Sequence, residues 1–385
     1  MTNNKLLINN SRNIVCIIVG TRPGIIKMSP LIRECEHRGL EHFVLHTGQH
    51  YSPEMDNVFF RDLGLKLPKH HLKHIREYVT HGAKTGMMLM GIEKLLMEER
   101  PRVVLVCGDA NTNLAGALAA RKLHCIIGHV ESGLRSNDWR MPEEHNRVIM
   151  DHISELLFAP TEETAQNLRK DNVRGKIIVT GNTIVDAVMQ NIKIARSKST
   201  ILLDLGLKNN SYFLMTIHRE ENVDNPYILA DLIECIKLVI RFFKKEIIFP
   251  LHPRTGKRLK EFGLTERLDS IKGLRIIEPL GYLDMLVLLE QCAVVLTDSG
   301  GLQEEACILE VPCVTLRENT ERPETVLVGA NVIAGTNPRT VKAAVEKMLS
   351  VARTWTNPLG DGRAAERIID EVQKVLKDDV SGLPC

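Results

Sequence analysis

Residues 102–135 read RVVLVCGDANTNLAGALAARKLHCIIGHVESGLR and contain a complete strand–helix–strand unit. The β-branched run Arg102–Cys107 predicts a strand, the alanine-rich segment Asn111–Leu123 a helix, and His124–Gly128 a second strand. A helix between two short apolar strands is the crossover that parallel strands require. The loops after these strands carry Gly108-Asp109-Ala110 and His129-Val130-Glu131. Ligands of open parallel sheets bind beyond the carboxyl ends of the strands, so these acids are the first candidates for chemistry.

The same alternation runs outward in both directions. Strands are expected at Asn13–Gly20, His42–His46, Leu156–Ala159 and Lys176–Thr180, with helices at Ile25–Arg38 and His81–Glu99. Pro142 followed by Glu143 and Glu144 predicts a helix start, because proline suits the first turn and acids there complement the dipole. A second series begins after about residue 200, with strands at Tyr212–Ile217, Glu246–Leu251, Leu274–Ile277, Ala293–Thr297 and Cys313–Leu316. Its helices lie near Pro226–Phe243, Gly281–Gln291, Leu302–Glu310 and Thr340–Val351. Two such series predict an α/β protein with two doubly wound parallel-sheet domains, joined in the polar stretch Ala195–Asn210. A length of 385 residues agrees with two to three domains of about 150 residues each.

Composition narrows the function. Apolar residues make up 44% and charged residues 25%, which excludes a disordered chain. Lys+Arg 50 against Asp+Glu 48 gives a net charge of +2, too small an excess for a nucleic-acid-binding face. No apolar run approaches the roughly 20 residues that span a bilayer, and residues 1–13 lack a signal-peptide core. A cytoplasmic protein without membrane insertion is expected. The nine cysteines are scattered with no C-x-x-C pair, and several lie in apolar runs, where a thiol behaves as a small hydrophobe. The chain has no G-x-G-x-x-G, and Gly82-Ala83-Lys84-Thr85 is not a phosphate-binding P-loop. Neither NAD chemistry nor ATP hydrolysis has support, and no histidine is paired with a cysteine at the spacing of a metal site. No cofactor and no metal are expected.

Charged and small residues recur after the strands. Thr21-Arg22-Pro23-Gly24 follows the first strand, His218-Arg219-Glu220 opens the second domain, and Asp298-Ser299-Gly300-Gly301 precedes another helix. Ser299, Gly300 and Gly301 fit phosphate binding at a helix start, or an ordinary glycine turn. Asp109, Glu131, Glu143 and Glu144 gather in the first domain, where carboxylates in distinct environments can divide acid and base work. Each also has a structural reading: Asp109 can cap the next helix, and Glu144 can be a solvated first-turn acid. Arg22 and Arg322 are candidate anion clamps or plain surface arginines, and His218 is a better catalytic candidate than His70, His71 or His74.

Taken together, the segments GTRPGIIK (20–27), CGDANT (107–112), GHVESGLRS (128–136), MPEEHNR (141–147), TGNTIVD (180–186), TIHREEN (216–222), LTDSGGLQEEA (296–306), NTERPET (319–325) and NPLGDG (357–362) resemble the non-hydrolysing UDP-N-acetylglucosamine 2-epimerases. The resemblance implies two Rossmann-like domains in a GT-B-like arrangement with the site in an interdomain cleft. Residues 1–195 would form the N-terminal domain, 196–361 the UDP-binding domain, and 362–385 a C-terminal helix returning to the first. Ser299, Gly300 and Gly301 would meet the diphosphate, Glu305 the ribose, and Arg22 and Arg322 the phosphate charge. Lys27 would line the sugar with the catalytic set Asp109, Glu131, Glu143 and His218. The implied reaction converts UDP-N-acetylglucosamine reversibly to UDP-N-acetylmannosamine. UDP is eliminated to give 2-acetamidoglucal, then adds back as C2 takes a proton on the opposite face. A homodimer is implied as well, with a role in polysaccharide or other glycan precursor synthesis.

The chain departs from the family pattern at Gly24, where an acid is usual, at Ala110, where a threonine is usual, and at Cys107. Gln49 and His50 match part of a second, activating substrate site found in some relatives, which predicts sigmoidal kinetics. The competing readings are a hydrolysing epimerase releasing UDP and N-acetylmannosamine, a 2-epimerase for a modified UDP-amino sugar, a binding protein without turnover, and a glycosyltransferase. The paired MPEEHNR and HVESGLR segments argue against the last.

Overall fold

A computed structural model describes residues 11–49 and 53–377 of the chain. The polypeptide forms two compact units, one running to Met189 and resuming at Gly360, the other spanning Gln190–Leu359.

The first unit holds strands β1 (Arg12–Val19), β2 (His42–His46), β3 (His70–His71), β4 (Pro101–Cys107), β5 (Ile126–Val130), β6 (Leu156–Ala159) and β7 (Lys176–Val179). They form a parallel sheet in the order β3-β2-β1-β4-β5-β6-β7. Val15, Cys16, Ile17 and Ile18 on β1 are all fully buried, as expected where helices cover both faces of a sheet. The helix Asn111–Lys122 buries Ala115, Gly116, Ala117, Ala119 and Ala120, small residues that let it lie close to the strands. Strand order reverses between β1 and β4, so the loops after Val19 and Cys107 flank the switch point where such sheets take ligands.

The helix Ala364–Lys377 completes this unit. Ile368 and Ile369 are fully buried, and each contributes about 1.5–3 kcal/mol relative to exposure. Asp186 receives the first-turn amides of Ala364 (3.2 Å) and Ala365 (3.0 Å), and Arg38, which caps the end of the helix Arg22–His37, bonds Asp370 (2.6 Å). Burial pushes the Asp186 carboxyl above its ordinary range, against the pull of those amides.

The second unit has β8 (Tyr212–Thr216), β9 (Glu246–Pro250), β10 (Leu274–Ile277), β11 (Val295–Thr297), β12 (Cys313–Thr315) and β13 (Asn331–Ile333). Its parallel order is β10-β9-β8-β11-β12-β13, with the reversal between β8 and β11. The apolar helix Pro226–Phe243 packs Leu232, Ile233, Ile236 and Val239 into the core with Phe213 and Phe249.

The predicted strands and helices recur with small shifts. The strand expected at His124–Gly128 begins at Ile126, because the Cys125 amide bonds the Ala120 carbonyl (3.0 Å) and His124 adopts φ +58° to end the helix. Half of the stretch expected as a linker is helical, in the end of the helix Thr183–Lys198 and in Ile201–Asp204, and the units divide at Met189/Gln190. The eight described cysteines are buried and unbridged. Among the described residues no helix is long and apolar enough to cross a membrane.

Candidate active site

In the first unit, the switch point is built around glycines. A Cβ on Gly20 would collide with the hydroxyls of Thr47 and Thr112. Gly108 adopts φ +75°, and a Cβ there would lie 3.1 Å from Glu131 Oε2. The end of β4 is thereby bare backbone beside Glu131. Glu131 itself has φ +66°, a left-handed conformation that costs a non-glycine residue about 1–3 kcal/mol and collects at functional sites. Its Oε1 is ion-paired with Lys27 Nζ from the helix Arg22–His37, and both side chains are largely buried. Arg22, at the start of that helix, places its guanidinium 5.5 Å from the centre of the Phe59 ring.

Asp109 does not cap the following helix; Ala110 stands at that position without a side-chain bond. The Asp109 carboxylate instead meets Arg147 Nη2 at 2.5 Å, and its backbone carbonyl accepts from Asn146 Nδ2 (2.7 Å). Arg147 also grips Glu144 (2.7 Å), whose carboxylate receives the Ser136 amide and hydroxyl, both at 2.9 Å. Glu144 is 2% exposed, so the solvated first-turn reading fails for it. Burial pushes its carboxyl up, but the Ser136 amide and Arg147 outweigh that and leave it below the ordinary range. Glu143, one residue earlier, is half-buried and forms no hydrogen bond or ion pair among the described residues. The three candidate carboxylates therefore stand in three states: Asp109 on a guanidinium, Glu131 on an ammonium, Glu143 uncommitted.

Behind them, fully buried His129 spans Asp151 (2.7 Å) and the Gly108 carbonyl (3.1 Å). Asp151 also binds Arg135 (2.7 Å) and the Gly133 amide (3.2 Å). This network ties β5 to the Gly108 turn and to the helix Pro142–Ile153.

In the second unit, His218 follows β8 and faces Asp298, which follows β11. Fully buried Asp298 accepts from the amides of His218 and Arg219 (both 2.9 Å), from Asn222 Nδ2 (3.0 Å), and pairs with His218 Nδ1 (3.1 Å). Burial pushes its carboxyl up, yet His218 and the two amides hold it below the usual range. Burial and the charge of His218 lower His252, whose ring centre lies 5.3 Å from that of His218. Ser299 caps the helix Gly300–Ile308 by accepting from the Leu302 amide (3.4 Å), while the amides of Gly300 and Gly301 form no hydrogen bond among the described residues. Glu305 is buried on this helix. Arg322 is bound to buried Glu304 (2.5 Å), and Gln303 anchors the loop before it by accepting from Thr320 (2.5 Å).

Gln49 accepts from the amide (3.1 Å) and hydroxyl (2.5 Å) of Thr112, serving the helix start that Ala110 leaves without a side-chain cap. His50 lies outside the described residues. Reading the sequence missed Arg147 and Asp298 as site residues. The available signal for Arg147 was its place inside MPEEHNR, and for Asp298 its place immediately after a strand. Among the described residues, no three His, Cys, Asp or Glu side chains are grouped to hold a metal.

Residues 33–373 match the family described as UDP-N-acetylglucosamine 2-epimerase. A UDP-N-acetylglucosamine 2-epimerase of Methanococcus maripaludis is 53% identical over 359 residues, covering 92% of this chain and 97% of its own. The crystal structure of the Methanocaldococcus jannaschii UDP-GlcNAc 2-epimerase in complex with UDP-GlcNAc and UDP superimposes with a TM-score of 0.85 at 52% identity, covering 94% of this chain and 99% of that one. A UDP-2,3-diacetamido-2,3-dideoxy-D-glucuronate 2-epimerase of Pseudomonas aeruginosa is 38% identical over 374 residues, covering 94% of this chain and 99% of its own.

Proposed function

This chain belongs to the UDP-N-acetylglucosamine 2-epimerase family, and from that premise we propose that it interconverts UDP-N-acetylglucosamine and UDP-N-acetylmannosamine without net hydrolysis. In the first half-reaction a base takes the C2 proton, the C1–O bond breaks, and UDP leaves with the bonding electrons. In the second, UDP attacks C1 of the resulting 2-acetamidoglucal and an acid returns a proton to the opposite face of C2.

The observation that carries this reading is the division among three carboxylates. Asp109 and Glu131 are oriented by Arg147 and Lys27, while Glu143 is uncommitted. A reaction that removes and delivers a proton on opposite faces needs acid–base groups in unlike settings. Ser299, Gly300 and Gly301 offer a helix start to the leaving diphosphate, and developing charge there is stabilised by oriented N–H groups. Arg22 and Arg322 are assigned to the phosphates, Glu305 to the ribose and His218 to the sugar. A regulatory role for Gln49 and His50 belongs to the same proposal, and hyperbolic kinetics in both directions would remove it. Homodimeric assembly, implied by the resemblance, and a cytoplasmic location belong to the same proposal and are tested by light scattering and fractionation.

Proton NMR with UDP-N-acetylglucosamine in D2O tests the reaction. UDP-N-acetylmannosamine carrying deuterium at C2 is the expected product. Free N-acetylmannosamine with stoichiometric UDP would establish the hydrolysing course instead. The Pseudomonas relative favours a second substrate, the diacetamido-glucuronate nucleotide, and turnover of that compound alone would replace the first reading.

A further inference from the structure

The start of the helix Gly300–Ile308 is already faced by an anion of the protein's own. Glu321 Oε2 lies 3.4 Å from where a Cβ on Gly300 would stand, and Arg219 Nη2 lies 3.8 Å from the same point. The Glu321 carboxylate is shared between Arg219 Nη2 (3.4 Å) and Arg317 Nη2 (3.5 Å). Both separations are long for a charge-assisted bond, which closes to about 2.7–2.9 Å when committed. Arg219 Nε is buried without a hydrogen-bond partner among the described residues, and so is Nη1 of Arg317, a residue only 8% exposed. Arg219 thus has donor capacity that Glu321 does not use. Its backbone is fixed, because its amide is bound to buried Asp298.

We propose that Glu321 is an internal stand-in for the ligand's phosphate, resting against Gly300 until a diphosphate displaces it, and that Arg219 then passes from Glu321 to the diphosphate as a phosphate ligand. The inference rests on the assignment of this helix start to UDP. Its physical basis is charge balance. Arg219, Arg317 and Arg322 face Glu221, Glu304 and Glu321, so the unliganded cluster is neutral by side-chain count. A diphosphate entering at Gly300 would place its charge beside the Glu321 carboxylate, an unfavourable like-charge contact. Withdrawal of Glu321 removes the repulsion and frees the Arg219 guanidinium together. Arg317 keeps its bond to Glu221 (2.7 Å) and stays as the anchor of the loop. UDP affinity is therefore lower than the donors alone would allow, which favours release of bound nucleotide.

Calorimetric titration of the full-length protein with UDP and with uridine tests this. Glu321→Gln keeps the shape and removes the charge. It should bind UDP about 3–10-fold more tightly, the scale of relieving one partly solvated like-charge contact, with uridine affinity unchanged. Arg219→Ala should weaken UDP by about 10-fold or more and leave uridine unchanged, the scale of one charge-assisted phosphate contact. A folded Glu321→Gln protein that binds UDP no more tightly than wild type would overturn the inference and leave Glu321 as a loop clamp. If that variant does not fold, Arg219→Ala decides, and wild-type UDP affinity in it is the overturning result. Wild-type protein that binds uridine but gains nothing from the diphosphate, or binds neither compound, would instead remove the UDP assignment itself.

Discussion

Asp298→Asn is an isosteric change with a large expected consequence. In the wild-type protein the carboxylate accepts from the His218 and Arg219 amides and Asn222, and faces His218 Nδ1. Accepting from Nδ1–H leaves Nε2 of a neutral imidazole without a proton, as an acceptor. An asparagine has only one accepting oxygen. Its least costly placement keeps oxygen toward the two amides and Asn222 and turns NH2 toward His218 Nδ1. That placement inverts the tautomer and makes Nε2 a donor. The three remaining bonds change from charge-assisted to neutral, each losing about 1 kcal/mol, so the second unit should lose about 2–3 kcal/mol of stability. Tautomer inversion in a comparable carboxylate–histidine pair lowers turnover by about 10⁴, and we expect a fall on the order of 10²–10⁴ here. Burial opposes ionisation of Asp298 but its bonds prevail, so its carboxyl lies below the unfolded value. Its stabilising contribution is then complete above the unfolded value of about 3.9 and lost as pH falls through the lower folded value. The stability gap between wild type and variant should narrow only in that acidic range. C2 exchange in D2O gives the rate, and nitrogen NMR of the His218 ring gives the tautomer. Turnover within about threefold of wild type alongside an inverted ring would refute the role assigned to His218; an unchanged ring would refute the derivation from Asp298.

Four further outcomes are expected. Arg147→Met should lower kcat by about 10²-fold with little change in KM, since a displaced Asp109 misaligns chemistry rather than binding, and Arg147→Lys should recover part of the loss; steady-state kinetics of both variants checks this. The same Arg147→Met change should cost about 2–3 kcal/mol in denaturant unfolding, below the full value for a buried pair because Asp109 is 37% exposed on its side chain. Gln49→Leu should cost about 1–2 kcal/mol by leaving the Thr112 amide without its acceptor, and Ala110→Ser in that background should restore about 0.5–1 kcal/mol as a conventional cap, both read from thermal melts. Gly20→Ala should destabilise by about 1–3 kcal/mol through collision with Thr47 and Thr112, seen as a lowered denaturation midpoint with an unchanged slope.

Much of the fold is legible in the chain because secondary structure is written locally. The run from Arg102 to Glu131 displays strand, crossover helix and strand by composition and period. Small or weakly patterned elements were not legible. The two-residue strand His70–His71 exists by pairing with Leu45 and His46, and the short strand Asn331–Ile333 by pairing with β12. The helix Glu162–Lys170 carries a Thr161–Thr164 capping box, where the sequence-level signature uses Glu or Gln at the third position.

Sequence by itself determined that two parallel sheets would form and that acids, arginines and a histidine would follow particular strands, because both are properties of neighbouring residues. Tertiary structure decided which charge meets which. Arg147 lies four residues from Glu143 along one helix, the spacing of an ion pair, yet it turns to Asp109 on another strand's loop and to Glu144. His218 meets Asp298 only because β8 and β11 are neighbours where strand order reverses. Gln49 serves the helix after β4 only because β2 and β4 flank β1. Such pairings join residues far apart in the chain, so no local period encodes them; they follow from strand order and from the need of buried charges to find partners.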